Sequence, residues 1–301
     1  MATLESLVCA PRITAIIGGL LICNLSLGCS AKDGDSAGAS DDWLAAAQDL
    51  GPARTGAPDA DLSDTSMLWF LSSHFVPGID WDDPTIDIPL FLFDTVAMDP
   101  GVANPGSCPY QQLDGNQTTW RSDCRSTQGY EWQGSLVQTR WSDGGFEYSR
   151  WDSDIVIVPG VEDPEFDRLS IQGSFVYVRG DDVVLERATQ GNIEIALDGY
   201  WERASMNDPR EAAWSRWAWT GREEQRPGGR HRIEGIAELA GVGAVSVTAT
   251  DLVVSSECTQ SPTGTVVLAG NQSVSLGFHG ETDCRRCADV EGGSGTTEAC
   301  Q

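Results

Sequence analysis

The chain has 301 residues and is strongly acidic, with 45 Asp and Glu residues against 19 Lys and Arg residues and a formal net charge of −26. An acidic surface repels phosphate backbones, so we expect no nucleic acid among its partners. Lys32 is the only lysine. The sequence therefore excludes a lysine-dependent phosphate loop and Schiff-base chemistry from everything that follows residue 32.

The first element in chain order is a short apolar segment near the N-terminus. Arg12 stands in a polar start, residues 13–23 are apolar, and small and apolar residues lead to Gly28 and Cys29. This is the layout of a secretory signal peptide over residues 1–28. The apolar stretch is shorter than the roughly 20 residues that cross a bilayer, so we expect no spanning helix.

The pair Gly28-Cys29 resembles the bacterial lipoprotein class, in which a peptidase cleaves before a cysteine whose thiol is diacylated. This chain has Ser26 three residues before the cysteine, where that class usually has Leu. The resemblance implies a lipid anchor, palmitate or a similar acyl chain, on Cys29. Ser30 favours the outer membrane, on the periplasmic or surface-exposed side. An ordinary secretory peptidase reading Ser26-Leu27-Gly28 would instead release a soluble exported protein.

Nine cysteines occur, and Cys9 and Cys23 leave with the signal peptide. Lipidation of Cys29 leaves an even set, which in an exported chain predicts disulfides. These disulfide candidates are Cys108, Cys124, Cys258, Cys284, Cys287 and Cys300. We predict one pairing, Cys108 with Cys124. Cys284-x-x-Cys287 lacks the second pair of a zinc ribbon and the βα context of a redox motif, so we expect no metal there.

Two segments separate the predicted anchor from the main domain. Residues 29–66 are rich in Asp, Ala, Gly and Ser and predict a lipidated tether, with a short helix over residues 42–50. Residues 67–107 contain apolar runs interrupted by Pro77, Pro84 and Pro89. They predict a short helical or irregular flap.

Residues 108–301 have the pattern of a single all-β domain. Ile193, Ile195 and Leu197 alternate with polar residues, as a half-buried strand requires. The form Gln-Gly-Ser-apolar-Val occurs at residues 133–137 and 172–176, and we interpret it as a recurring strand opening. Helical patterns are missing between the strands, so we expect an antiparallel meander, built as a sandwich or a strongly curved sheet and stapled by disulfides.

The eleven tryptophans offer the clearest candidate ligand site. Trp217 and Trp219 would share one strand face near Trp214 and form a platform for sugar rings if that face were exposed. Core packing is the more common role of such rings, and we favour it. His231 follows a predicted hairpin turn, and we expect it at the surface. No spacing selects a nucleophile, base or carboxylate pair, so we predict no catalytic residue and no cofactor.

These patterns together predict an exported, lipid-anchored protein of the cell envelope with a binding or structural role and no catalysis. Its expected partners are the membrane, through the acyl anchor, and an envelope protein or glycan. Two alternatives stay open. One is a carbohydrate-binding module that uses the tryptophan platform, and the other is a secreted hydrolase with an unrecognised site.

Overall fold

A computed structural model describes residues 43, 49–68, 71, 106–160, 166–180, 185–199, 215–254, 262–280, 287–292 and 295–300. The predicted signal peptide, Cys29 and most of the predicted flap lie outside these residues. Within the described ranges, no helix is both long and apolar enough to span a membrane.

One antiparallel sheet dominates the described chain, as the alternation predicted. Its strands follow one another in space nearly in chain order, and the two-residue strand β3 pairs with β4 beside β2. The described residues contain β1 (Tyr110–Asp114), β2 (Gln117–Arg121), β3 (Cys124–Arg125), β4 (Glu131–Asp143), β5 (Phe146–Val158), β6 (Arg168–Arg179), β7 (Arg187–Asp198), β8 (Arg216–Arg226), β9 (Arg230–Leu239), β10 (Gly243–Val253), β11 (Thr263–Ala269), β12 (Ser273–His279), β13 (Cys287–Gly292) and β14 (Gly295–Cys300). The all-β meander is therefore confirmed.

The two faces of the sheet differ in polarity because successive side chains point to opposite sides. On β7, Ile193 and Ile195 are buried, whereas Asn192 and Glu194, which alternate with them, are half-buried. We call the face that holds Ile193 the inner face and the other the outer face. One cluster of buried inner-face side chains takes members from β2 to β13, including Trp120, Leu136, Ile155, Ile171, Ile195, Trp219, Ile233, Val247, Leu268, Leu276 and Val290. An open sheet wider than about ten strands rarely stays flat, and one buried cluster shared by β2 to β13 is what a sheet that curls over its inner face would produce.

Two glycines show how long strands can bend. Gly134 has φ +91° and lies within β4, and Gly173 has φ +123° and lies within β6. A Cβ at either position would lie 1.9 Å from a carbonyl oxygen of the next strand. Glycines of this kind mark bends inside strands. The Gln-Gly-Ser motif thus lies inside β4 and β6, where only glycine leaves room for the neighbouring backbone, and its interpretation as a strand opening was wrong for both copies.

A second, smaller apolar cluster lies on the outer face. Trp141 and Tyr148 stack there with ring centroids 5.0 Å apart. The buried members of this outer cluster are Trp43, Leu50, Phe146, Tyr148, Val176, Val178, Leu185 and Ala188. Trp43 and Leu50 come from the region predicted as tether, so part of that region packs on the sheet.

Candidate functional site

The most extensive interaction surface among the described residues is the outer face, where residues 49–62 cross the sheet. We call these residues the N-terminal strap. At β5, Arg150 Nη2 donates a hydrogen bond of 3.1 Å to the Asp49 carbonyl oxygen. At β7, Asn192 Nδ2 donates to the Gly51 carbonyl oxygen at 2.8 Å. Side chains of the sheet therefore hold the main chain of the strap.

Arg54 occupies the middle of the strap and uses both its main chain and its side chain. Its N–H donates to Thr220 Oγ1 on β8 at 3.2 Å, and its Nη1 donates to Gln172 Oε1 on β6 at 3.3 Å. The same nitrogen lies 4.0 Å from Glu194 Oε2 on β7, and Arg216 binds the other oxygen of Glu194 at 2.8 Å. Arg54 thus brings a positive charge to an acidic patch and links three neighbouring strands.

The strap next reaches β9 and β10 through backbone hydrogen bonds. The Gly56 N–H donates to Glu238 Oε2 at 2.8 Å. The N–H groups of Asp59 and Ala60 donate to the Ala244 carbonyl oxygen at 2.8 and 2.9 Å. Ala244 N–H in turn donates to Asp59 Oδ1 at 2.8 Å. This reciprocal pairing fixes the strap against the start of β10.

At the rim of the sheet, the strap meets the turn between β11 and β12. Asn271 donates its N–H to the Ala60 carbonyl oxygen at 2.9 Å, and its Oδ1 accepts from Leu62 N–H at 3.3 Å. Its Nδ2 donates to Asp61 Oδ1 at 3.1 Å. Hydrogen bonds from the Ser63 backbone and side chain, and then from Asn271, lower the pKa of Asp61. Asn271 therefore contacts the strap through its backbone N–H and through both polar atoms of its side chain.

Gly270 has no side chain, which allows the strap to approach the β11–β12 turn closely. A Cβ at Gly270 would lie 2.2 Å from the Ala60 carbonyl oxygen. Ala60 and Leu62 are 0% and 1% exposed, so the strap is part of the folded domain at this point. The prediction of a free tether over residues 29–66 is thus wrong for residues 49–62, because side chains and backbone groups of the sheet hold them.

Beyond the rim, the chain turns toward the inner face. Residues 65–68 and Leu71 are helical, and Asp64 caps this helix by accepting from Ser66 N–H through Oδ1 at 2.8 Å. A carboxylate at this position satisfies a free N–H group of the first turn. Leu68 and Leu71 join the inner cluster. The N-terminal region therefore contacts both faces of the sheet.

The inner face also has a polar end, where β7, β8 and β9 lie side by side. Arg187 of β7 pairs with Gln225 of β8, which in turn pairs with His231 of β9. His231 is 5% exposed, and its Nδ1 has no hydrogen-bond partner within the described residues. Burial, and secondarily the charge of Arg187, lower the pKa of His231 to about 4. The expectation of a surface histidine was wrong, because its strand position points the side chain inward.

The tryptophans predicted as a possible platform are part of the core. Trp217 and Trp219 are 8% and 2% exposed. The ring of Trp219 lies over Gly221 and Gly235, where an added Cβ would meet it at 2.6 Å. The exposed platform is therefore ruled out for these two rings, because glycines of β8 and β9 give the indole room inside. Trp214 lies outside the described residues.

The cysteines agree with the predicted pairing where the structure describes them. Cys108 and Cys124 form a disulfide, with Cα atoms 5.8 Å apart. Cys287 is also disulfide-bonded. It stands opposite Cys300 in the β13–β14 register. Cys29, Cys258 and Cys284 lie outside the described residues, and the described part of the chain contains no group of three or more potential metal ligands.

Comparisons with known proteins do not place the chain in a family. No protein-family model, no curated protein and no solved structure matches it.

Sequence reasoning missed the residues that hold the strap. The contacts are made by Arg54, Asn192, Glu238 and Asn271, and no sequence motif indicates that these residues contact the strap. The sequence contained one weak indication of these contacts, because isolated apolar residues such as Ala60 and Leu62 interrupt the acidic segment. Their burial depends on distant strands, which local composition does not reveal.

Proposed function

We propose that this protein is an exported, lipid-anchored protein of the cell envelope, with Cys29 as the acylated residue and with a binding or structural role without catalysis. The observation that supports this most is the N-terminal strap. The chain that follows the proposed anchor is held by six consecutive strands, β5 to β10, and by the β11–β12 turn. A domain anchored in this way is coupled to its membrane attachment point.

The chain length between anchor and domain supports a role at the membrane. Trp43 is buried in the outer cluster and lies 14 residues after Cys29 (43 − 29). A chain of that length spans at most about 50 Å when fully extended. The acyl chains on Cys29 would therefore keep the domain close to the bilayer, where it would meet an envelope protein or glycan.

The disulfides support the exported location. Cys108 is paired with Cys124, and Cys287 is oxidised as well. Disulfides persist in oxidising compartments such as the periplasm and the cell surface, and they are rare in the cytosol. An outer-membrane position is part of the proposal, and it rests on Ser30 alone.

The test is the intact mass of the mature protein from membrane and soluble fractions, with and without reduction. We expect a membrane species that begins at Cys29 and is heavier by acyl groups. It should gain about 6 Da on reduction, because six cysteines remain after Cys29. The control is Cys29→Ala, which should move to the soluble fraction with its circular dichroism spectrum unchanged. A wild-type protein that is soluble, unmodified and reduced would overturn the proposal.

A further inference from the structure

Two sites in the described residues carry the Asn-x-Ser/Thr sequence that N-glycosylation requires. They are Asn116-Gln117-Thr118 in the β1–β2 turn and Asn271-Gln272-Ser273 in the β11–β12 turn. Such a motif indicates glycosylation only where it lies on an accessible surface loop of an exported protein. The two sites share a sequence pattern and a position in a hairpin turn. The surroundings of each asparagine in the folded domain therefore decide which of them can carry a glycan there.

Asn116 lies at an exposed hairpin tip. Gly115 has φ +60° and turns the chain, and Asp114 pairs with Gln117 to close the hairpin. Residues 112–117 are all exposed. The main-chain oxygen of Asn116 accepts from Arg140 N–H at 2.8 Å, which fixes the backbone. Its side-chain amide makes no hydrogen bond within the described residues, so Nδ2 is available for a substituent.

Asn271 provides the opposite case. Its Nδ2 donates to Asp61 Oδ1, and its Oδ1 accepts from Leu62 N–H. The strap passes directly over this turn, as the close approach of Ala60 to Gly270 shows. A sugar on Nδ2 would replace one of its two hydrogens beside Asp61, and it would compete with the strap for space. Both asparagines are exposed, but a glycan at Asn116 displaces no contact of the folded domain, whereas one at Asn271 would lie against the strap.

We propose that Asn116 is an N-glycosylation site, and that its sugar donor is a lipid pyrophosphate-linked oligosaccharide. In the transfer, Asn116 Nδ2 forms a bond to C1 of the first sugar, and the bond between C1 and the pyrophosphate oxygen breaks. The amide gives up one proton, and the lipid pyrophosphate departs as the leaving group. No change of oxidation state occurs. The inference rests on the proposed export, which brings the chain to the compartment that holds such donors.

The structure also fixes when the modification occurs. Thr118 belongs to the acceptor sequence, but its side chain is buried in β2 on the inner face. A transferase that must contact this hydroxyl needs it before β2 pairs with β4 and the core closes. Transfer therefore precedes packing of the hairpin on the sheet, and the contacts of the folded domain decide which of the two glycans the fold can keep. Once the domain has folded, the glycan projects into solvent from the tip.

The experiment is mass spectrometry of the mature protein purified from its native cells and cleaved before aspartates. Residues 114–122 and residues 251–282 then fall on separate fragments, one for each asparagine. We expect the first fragment to carry added hexose or N-acetylhexosamine mass on Asn116, and the second to be unmodified at Asn271. In Asn116→Gln the added mass should disappear while the thermal unfolding midpoint stays within about 1 °C.

Each outcome of this experiment decides the inference. An unmodified Asn116 overturns it, and so does a glycan on Asn271 in the folded protein. The N-terminal fragment of the same sample reports acylation of Cys29. A lipidated protein with a bare Asn116 contradicts the glycosylation site alone, whereas an unlipidated, soluble and reduced protein contradicts the proposed export as well.

Discussion

The inner face of the sheet is covered by apolar side chains that pack together, whereas the outer face, beside its smaller apolar cluster, is crossed by a length of main chain that polar side chains hold. On the inner face, Trp219 fits over Gly221 and Gly235 of neighbouring strands. On the outer face, Arg150 and Asn192 donate to carbonyl oxygens of the strap. The same strands thus hold the fold together by two kinds of contact.

The difference shows what each kind of contact is suited to. Burial of a large side chain stabilises by a few kcal/mol, whereas a hydrogen bond to a solvated partner contributes only about 1 kcal/mol net. The inner face therefore supplies most of the stability of the domain. The outer face determines where the strap lies, because each hydrogen bond is directional and joins one atom of the strap to one atom of the sheet.

The largest expected effect comes from the inner face. Trp219→Ala should lower the free energy of unfolding by about 3–5 kcal/mol, because it removes a buried indole from a site that two glycines keep open. Urea denaturation followed by circular dichroism measures the loss. Leu113→Ala, at an exposed position on β1, is the control and should change stability by less than about 0.5 kcal/mol. Equal effects of the two variants would contradict the assignment of the core.

The next largest effect is a pH dependence of the unfolding free energy that arises from His231, at the polar end of the inner face. The pKa of His231 is lowered to about 4 from an ordinary value of 6.5, so the fold binds the neutral imidazole. Stability from this group is complete above pH 6.5, falls as the pH drops from 6.5 to 4, and then levels off. The loss amounts to about 3 kcal/mol, at roughly 1.4 kcal/mol for each unit.

The control for the pH effect is His231→Gln, which stays neutral at every pH. The difference in unfolding free energy between wild type and this variant isolates the histidine from the carboxylates that titrate in the same range. Identical pH profiles from 7 to 4 would mean that His231 is accessible to water, which would contradict its place on the inner face.

A smaller effect should arise where the strap crosses the rim. Gly270→Ala places a Cβ about where the Ala60 carbonyl oxygen lies, so either the strap or the turn must shift. Overpacking of this kind costs about 1–3 kcal/mol. Gly277→Ala is the matched control, because its nearest neighbour would be 3.9 Å away in the adjacent strand. A Gly270→Ala protein as stable as Gly277→Ala would show that the strap does not pack against this turn.

The sequence predicted the inner face far better than the outer one, for a physical reason. Alternation at Ile193 and Ile195 follows from the geometry of a strand, and it is visible in any short window. The even set of cysteines predicted disulfides in an exported chain, and the one pairing that we predicted, Cys108 with Cys124, is confirmed. The contact of Arg54 with Gln172 joins residues 118 positions apart, and no periodic pattern encodes it. Composition alone made residues 49–66 resemble a disordered tether.

The smallest effect would test whether the strap is held by its charge or by its main chain. Arg54→Gln removes the contacts of the guanidinium with Glu194 and Gln172, but it leaves the Arg54 backbone bond to Thr220 in place. Both ions are partly exposed, so global stability should fall by no more than about 1 kcal/mol. Local opening of the strap should change more visibly, because 1 kcal/mol corresponds to a roughly five-fold change in an opening equilibrium. Hydrogen exchange at the amides of Gly56 and Ala60 measures it.

Arg232→Gln is the matched control, since Arg232 pairs with Glu234 at 3.5 Å on the same face. It should leave exchange in the strap unchanged. If Arg54→Gln also leaves it unchanged, the side chain adds nothing, and the main-chain bonds to Thr220, Glu238 and Ala244 hold the strap by themselves. Faster exchange in Arg54→Gln alone would instead show that the Arg54 side chain helps to hold the strap on the outer face. In that case salt should release the outer face before it weakens the inner one, because screening acts on exposed charges and not on buried apolar contacts.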